Sequence, residues 1–168
     1  MAFESVNELD KFIYDDCQVM QIKQEGSELS FMLEALIVGA RNSQNSNYTD
    51  SYADETKMIL SGVVIESMII EGYNVYDADD NLQKSVEDEV VPSDKIVDIL
   101  TNLGEAYLFS VEYLEKSENG PFKCRMEIDT GELDRAGLTD PYTATYEIVV
   151  KFDKALVTWE RYMNKVQN

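Results

Sequence analysis

The chain has 168 residues, 44% of them hydrophobic, and its 33 acidic side chains outnumber 14 basic ones to give a formal net charge of −19. This length and composition are typical of one globular domain, 1–168, that can fold without a disulfide or a metal. The charge argues against binding to nucleic acids or anionic membranes, because such binding depends on Lys and Arg contacting phosphates. It is compatible with a basic protein partner, with loose binding of cations, or with a role in solubility alone.

The N-terminal residues 1–12 are polar and acidic, and they lack the basic start and apolar run of a signal peptide. No apolar stretch approaches the ~20 residues of a membrane-spanning helix. Cys17 and Cys124 are far apart and lie in no metal-binding spacing, so we expect buried free thiols rather than a disulfide. Together these absences predict a cytoplasmic, reducing location.

The first predicted element is a short N-terminal helix over residues 4–13. Possible capping groups stand at its start, and Val6, Leu9 and Ile13 fall on one helical face.

Two strands and a hairpin turn are predicted next. From Cys17 the apolar period becomes two, with Met20 and Ile22 on one face of the first strand. Residues 25–27 include a glycine and predict the turn. The second strand covers 28–38; a helix is the alternative there because several of its residues favour one, but the turn and the alternation favour a strand.

The middle of the chain begins with a long polar connection. Residues 39–54 are rich in Gly, Asn and Ser, and a loop of this length is either functional or a mobile, solvated connection. Residues 56–71 are apolar and β-branched and predict a strand, with Gly62 marking a bulge or a bend. Residues 71–74 can start a further short strand.

The clearest helix signal covers residues 93–103. Ser93 is the predicted N-cap, and Gly104 closes the helix. One apolar stripe, which we assign to packing, consists of Ile96, Ile99, Leu100 and Leu103.

The last third of the chain is predicted to be β again, with strands over 105–115, 120–129 and 142–152. The alternation in the last two predicts inward-facing positions at Phe122, Cys124, Met126, Ile128, Tyr146, Ile148, Val150 and Phe152. A turn-rich connection covers 130–141.

A tight turn is predicted at residues 153–154, leading into a last strand with Trp159 as an apolar anchor. Hairpin-length connections imply antiparallel pairing, so the predicted fold class is α+β and β-dominated. We expect antiparallel sheets that form a sandwich or a curved sheet. The helix at about 93–103 packs on the sheet, and the short N-terminal helix is the second helical element.

The acidic stretch 77–88 resembles a calcium loop in part. Asp77, Asp79 and Asn81 occupy the first, third and fifth positions of an EF-hand loop, and Asp88 occupies the twelfth. The sixth position is Leu82 instead of glycine, and the twelfth is one methylene shorter than the usual glutamate. We therefore expect no metal site here and interpret the stretch as an acidic turn between strands. These four residues are the only metal-ligand candidates in the sequence, and they are weak ones.

Catalytic chemistry finds no support in the sequence. The chain has no histidine, which removes the usual general base and zinc ligand. No phosphate-binding loop, nucleotide motif or nucleophile elbow occurs. We therefore predict a non-enzyme with no catalytic residues and no cofactor.

A family resemblance appears in three segments: "FIYDDCQVMQIKQEGSELSFMLE" (12–34), "LSGVVIESMIIEGY" (60–73) and "VTWERY" (157–162). They resemble an uncharacterised family of acidic, β-rich proteins from Gram-positive gut bacteria, loosely similar to small toxin-immunity β proteins. Those proteins have His-Asp where this chain has Tyr14-Asp15. The resemblance implies a fold and a binding or regulatory role, and it implies no site residues.

Two functional hypotheses follow. The first is a protein-interaction or regulatory module, immunity-like, whose acidic surface meets a basic protein. The alternative is a small-ligand or cation-binding domain that uses the 39–54 loop and the 77–88 acidic turn. Neither the oligomeric state nor the identity of a partner follows from the sequence.

Overall fold

The computed structural model describes residues 2–104, 106–130 and 145–165. These residues form sixteen strands, one α-helix (α1, Ile96–Leu100) and two 3-10 turns, Leu9–Lys11 and Ser93–Lys95. The strands before residue 71 are β1 (Phe3–Val6), β2 (Phe12–Ile13), β3 (Gln18–Glu25), β4 (Glu28–Glu34), β5 (Ile37–Val38), β6 (Ser51–Ala53), β7 (Thr56–Ser61) and β8 (Val64–Ile70). The later strands are β9 (Tyr73–Tyr76), β10 (Leu82–Val86), β11 (Glu89–Val90), β12 (Ala106–Lys116), β13 (Phe122–Asp129), β14 (Thr145–Phe152), β15 (Lys154–Trp159) and β16 (Tyr162–Lys165).

One ten-stranded antiparallel sheet dominates the fold, in the order β1-β15-β7-β4-β3-β12-β13-β14-β8-β11. A four-stranded sheet has the order β16-β6-β5-β2, and β9 pairs with β10 in a separate ribbon. The prediction of a β-dominated, antiparallel fold is thereby confirmed. The strand pairing does not confirm a sandwich.

At one corner of the main sheet, two strands continue into their successors side by side. β7 runs into β8 through Gly62, and β14 runs into β15 through Asp153, while β7 pairs with β15 and β8 with β14. Gly62 has a φ of +66°, and a Cβ there would lie 2.1 Å from Asp153 Oδ2. The predicted bend at Gly62 is therefore confirmed. The predicted tight turn at 153–154 is wrong, because the chain crosses the corner there instead of folding back on β14.

The core follows the predicted alternation of β13 and β14. Cys124 pairs with Val150, and Met126 pairs with Ile148, in a continuous antiparallel register. The predicted inward positions are buried at Phe122, Cys124, Met126, Ile128, Ile148, Val150 and Phe152. Tyr146 is half-buried. Such burial of large apolar side chains stabilises each position by about 1.5–3 kcal/mol.

The N-terminal helix predicted over 4–13 is wrong. Phe3–Val6 instead pairs with β15, and Phe3 stacks on Trp159 at a ring-centroid distance of 5.6 Å. Asn7 then takes a φ of +55°, which a helix does not accommodate, and its Oδ1 accepts a hydrogen bond from Ala155 N. Pairing with a distant strand thus outweighs the local helical period.

The helix predicted over 93–103 is shorter than expected. Ser93 lies in a 3-10 turn and makes no capping side-chain hydrogen bond, and α1 begins only at Ile96. The predicted stripe is nevertheless the packed face, since Ile96, Leu100 and Leu103 are buried. Gly104 has a φ of +71°, in keeping with its predicted role after the helix.

The first hairpin is confirmed, with two corrections. Gly26 has a φ of +59° in the turn that joins β3 to β4. Met20 is 50% exposed, contrary to its predicted face, because a bulge between Val19 and Gln21 shifts the alternation. The strand predicted over 28–38 ends at Glu34. The connection predicted over 130–141 lies, from residue 131 onward, outside the described residues.

Candidate interaction surface

A two-stranded ribbon, residues 73–86, stands apart from both larger sheets, and we call it the arm. Within the described part of the chain, β9 and β10 pair only with each other. Tyr76 and Leu82 are cross-strand partners, so they share one face of the ribbon, and they are 55% and 56% exposed. An isolated two-stranded ribbon is only marginally stable in water. The arm therefore exposes two neighbouring apolar side chains on a two-stranded ribbon.

The acidic stretch at the tip of the arm is a self-contained turn. Asp77 Oδ1 accepts hydrogen bonds from the backbone N of Asp79 and of Asn81, both at 2.9 Å. Its Oδ2 accepts from the side chains of Asn81 and Gln83. The backbone hydrogen bond from Asn81 is the main cause that lowers the Asp77 pKa. Asp80, with a φ of +62°, completes the turn between β9 and β10, so the predicted acidic turn over 77–88 is confirmed only for residues 77–81, because 82–86 form β10.

The calcium-loop candidates are not arranged around one point. Asp77 uses its oxygens within the turn, whereas Asp88 Oδ1 accepts from Gly72 N at 2.7 Å, beyond the far end of the ribbon. Residues 2–104, 106–130 and 145–165 contain no group of three or more Cys, Asp or Glu side chains that could hold a metal ion. The absence of a calcium site stays a prediction.

Four carboxylates lie where the arm meets the main sheet, and we call them the root: Glu71, Asp88, Glu127 and Glu147. Glu127 and Glu147 face each other across β13 and β14. Burial, followed by the charge and hydrogen bond of Glu127, raises the pKa of Glu71 to about 6; Glu147 and Asp88 add to this effect. Like charges so placed repel one another.

Little positive charge offsets the root. Arg125 lies 3.7 Å from Glu147 Oε1, measured from its Nε, and 3.5 Å from Glu112 Oε2, measured from its Nη1. Residues 71–90 contain seven acidic side chains and one basic side chain, Lys84. The arm therefore carries an exposed apolar pair beside the acidic turn at its tip, and the root places further carboxylates at its base.

The second region that the sequence singled out, 39–54, is built differently. Asn45 Nδ2 lies within hydrogen-bond distance of the carbonyl oxygens of Val38, Gly39 and Thr49, at 3.0, 3.2 and 2.9 Å. Asn42 is only 3% exposed and donates to Ser5 Oγ. The predicted solvated connection is thus a loop, residues 39–50, in which Asn42 and Asn45 make internal hydrogen bonds, whereas Arg41, Ser43, Ser46 and Tyr48 are exposed.

The loop is also tied to the N-terminal segment. Glu8 accepts hydrogen bonds from the backbone N and the hydroxyl of Ser43, and from Ser5 Oγ. These bonds lower the Glu8 pKa although burial opposes them. Residues 51–53, which the sequence assigned to the same loop, are strand β6 between β5 and β16.

A cavity of about 620 Å³ opens beside β6. Its polar and large lining residues are Glu34, Tyr52, Asp54, Glu55, Arg161 and Met163. Asp54 is occupied: its Oδ1 accepts from the backbone N of Glu160 and Arg161, and its Oδ2 lies 3.8 Å from Arg161 Nε. The Tyr52 hydroxyl donates to Asp16 Oδ2 at 2.7 Å.

The cysteines are poorly suited to nucleophilic chemistry. Both are buried free thiols, as the sequence predicts. Burial raises the pKa of Cys17 and of Cys124 to about 12, so neither forms a thiolate near neutral pH.

Comparisons of the chain with protein-family models, with curated proteins and with solved structures find no match. In the described residues, no helix is long and apolar enough to cross a membrane. Functional inference therefore depends on the geometry of the chain itself.

Sequence reasoning found the acidic turn but missed the arm, the root and the cavity. Residues 82–86 are mostly polar and carry no strong strand signal, so β10 was not predicted. The root joins residues from β13, β14 and two connecting segments. No local pattern could have brought Glu71 next to Glu127, or Arg161 next to Asp54.

Proposed function

We propose that the protein is a non-enzymatic interaction module, of the immunity or regulatory kind, whose arm and root bind a basic protein partner. One observation carries this proposal: the arm pairs with no other strand in the described residues and exposes Tyr76 and Leu82 beside an acidic turn. The resemblance to immunity-like β proteins supports the same class of function.

The arm combines the two ingredients of a specific interface. Exposed aromatic and aliphatic side chains supply the contact area that becomes buried on binding. The surrounding carboxylates direct a basic partner toward that pair and exclude acidic proteins, which affects the association rate more than the final affinity. Solubility alone would require the charges but not the projecting apolar pair.

A second copy of the chain is a poor occupant of this surface. Two arms would bring together two segments that each hold seven acidic residues and one basic residue between positions 71 and 90. Like charges across an interface cost several kcal/mol. A basic partner is electrostatically attracted to the same surface.

The test is capture of cytoplasmic proteins on the immobilised full chain at low salt, repeated at about 0.5 M salt, where charges act over only a few ångström. The bait is compared with Tyr76→Thr/Leu82→Thr, which retains strand propensity but removes the apolar pair. The matched control is Val6→Thr/Val64→Thr, two exposed valines elsewhere. An unrelated protein of similar acidity serves as a further bait.

A basic protein that is retained by the natural chain and by the control, and lost with the arm variant, supports the proposal. Its purified form should then associate more slowly as salt rises, and more slowly with Asp79→Asn/Asp80→Asn. If the unrelated acidic bait captures the same proteins, or if the arm variant captures as much as the natural chain, the arm is not a docking surface.

A second candidate function, binding of a small ligand, is favoured by the cavity of about 620 Å³ beside β6. Tyr52 and Asp54 from the predicted 39–54 segment line it. The 77–88 turn does not line this cavity. The alternative hypothesis therefore keeps the end of the 39–54 segment and gains residues near β4 and β16 in place of the turn.

A further inference from the structure

We propose that the cavity beside β6 binds an organic cation, an ammonium or guanidinium group carried on a short apolar stem. This site deepens the second candidate function and is independent of the arm. Its volume of about 620 Å³ falls in the range of small-molecule sites, and apolar surface from Ala35, Ala53 and Met163 lies beside charged groups.

The sign of the ligand charge follows from which carboxylates are already paired. Asp54 is satisfied by two backbone N–H groups and by the nearby Arg161 guanidinium. Glu34 and Glu55 have no salt bridge or side-chain hydrogen bond to any described residue. Among the described side chains that line the cavity, Glu34 and Glu55 are thus two negative charges without an ion-pair partner, and they favour a cation over an anion.

Tyr52 gives the cavity an aromatic lining residue. Its hydroxyl donates to Asp16 Oδ2 at 2.7 Å. Aromatic rings attract cations through their electron-rich faces, and this attraction increases when the cation is partly desolvated. The same hydrogen bond raises the Tyr52 pKa, because the hydroxyl donates to the Asp16 carboxylate.

The lining selects an organic cation over a metal ion. No three Cys, Asp or Glu side chains in residues 2–104, 106–130 and 145–165 are placed to hold a metal. The apolar part of the lining, including the 56% exposed Met163, would contact nothing on a hydrated metal but would pack against an alkyl stem. A free cation and a lysine or arginine side chain of another protein share this chemistry.

The experiment measures binding to the isotopically labelled full chain by NMR titration with four probes of equal stem: n-butylammonium, n-butylguanidinium, butyrate and 1-butanol. The two cations should shift the amide signals of residues 34–35 and 52–55 with Kd values in the millimolar range, as expected for ligands this small. Butyrate and 1-butanol should shift them at least about tenfold more weakly.

Two variants test the residues that carry the proposal. Glu34→Gln/Glu55→Gln should weaken cation binding about tenfold, because it removes both unpaired charges. Glu4→Gln/Glu118→Gln, which removes two exposed charges elsewhere, should change it less than about twofold. Tyr52→Phe frees the ring from Asp16 and should weaken binding by a smaller factor while the variant stays folded.

A capped tripeptide with central lysine distinguishes the two sources. Binding of the free cations alone indicates a small molecule, and tighter binding of the peptide indicates a side chain of a partner. Equal binding of butyrate or 1-butanol, or equal weakening by both double variants, would show that the cavity has no cation selectivity and would overturn the proposal. The arm variants leave this outcome unchanged, so failure here is separate from failure of the arm as a docking surface.

Discussion

The loop at 39–50 and the arm at 73–86 are both polar connections, yet the protein uses their polar residues in opposite ways. The loop turns Asn42 and Asn45 inward, where they satisfy backbone carbonyls and bond to the N-terminal segment. The arm closes its own turn through Asp77 and exposes Tyr76 and Leu82 beside that turn. Two segments of similar polar composition can therefore differ in whether their side chains bond to the rest of the fold or within the segment.

The difference has a simple physical origin. The loop has no strand ladder of its own, so buried backbone groups near β5 need side-chain partners. The arm forms a complete ladder between β9 and β10, so its side chains are not needed for that purpose. The loop is consequently part of the scaffold, and the arm is available for contact.

The largest effect is expected for Asn45→Ala in the loop. The variant loses the two N–H donors that the Asn45 amide points at the Val38, Gly39 and Thr49 carbonyl oxygens, and we expect the free energy of unfolding to fall by about 2–3 kcal/mol. Asn81→Ala in the arm is the matched control and should cost much less, because its partners are exposed. Chemical denaturation measures both; equal losses would remove the distinction between the two regions.

A smaller but local effect is expected for Gly72→Ala at the base of the arm. A Cβ there would lie 2.1 Å from the carbonyl oxygen of Val86, which is backbone and cannot rotate away. We expect a loss of about 1–3 kcal/mol and displacement of the arm. Gly26→Ala is the control, since its Cβ would meet nothing within 4 Å and only its φ of +59° is unfavourable.

Amide hydrogen exchange locates the Gly72→Ala effect. Faster exchange confined to residues 73–90 agrees with an arm that closes at Gly72. Uniformly faster exchange throughout the main sheet would mean that the arm is part of the cooperative core.

A still smaller effect is expected for Asp77→Ala. The variant loses the acceptor that closes the turn, so amides 79–81 should exchange several-fold faster while the midpoint of global unfolding stays unchanged. Asp79→Ala, which leaves those acceptors in place, should not accelerate exchange in the same way. A clear shift of the global midpoint for Asp77→Ala would contradict the independence of the arm.

The smallest effect concerns Glu71 in the root. Its pKa is raised from 4.5 to about 6, so the folded state favours the protonated form. The resulting stabilisation is complete below about pH 4.5 and is lost as the pH rises through 6. Glu71→Gln should therefore match the natural chain near pH 4.5 and exceed its stability at pH 7.5, by less than about 1 kcal/mol because the site is partly exposed.

Urea unfolding at the two pH values tests this, with Glu118→Gln as the control. The control should show the same difference from the natural chain at both pH values. A Glu71→Gln effect that does not depend on pH would mean that the root carboxylates do not interact as the structure places them.

Local features were predicted well because they depend on neighbouring residues. The alternation from Phe122 to Ile128 and from Ile148 to Phe152 correctly predicts two buried faces, because successive side chains of a strand point in opposite directions. Gly26 correctly predicts a hairpin turn. The acidic stretch after Tyr76 is the turn between strands that the sequence indicates.

Features that depend on distant residues were missed. Residues 4–13 have a helical period, but pairing with β15 makes the first of them a strand. The alternation of side chains along β3 predicts that Met20 points inward, but a bulge in the pairing with β4 turns it outward.

The sequence alone determined the β-dominated class, the inward faces of β13 and β14, the burial of both thiols and the acidic turn, because each depends on backbone preferences or on the spacing of apolar side chains. Only the tertiary structure decided where the arm projects, which carboxylates crowd at the root and which residues line the cavity. The root and the cavity each join segments that are far apart in sequence, as the pairings of β14 with β8 and of β16 with β6 show. Contacts between segments far apart in sequence have no local signature, and so the candidate sites appear only in the folded chain.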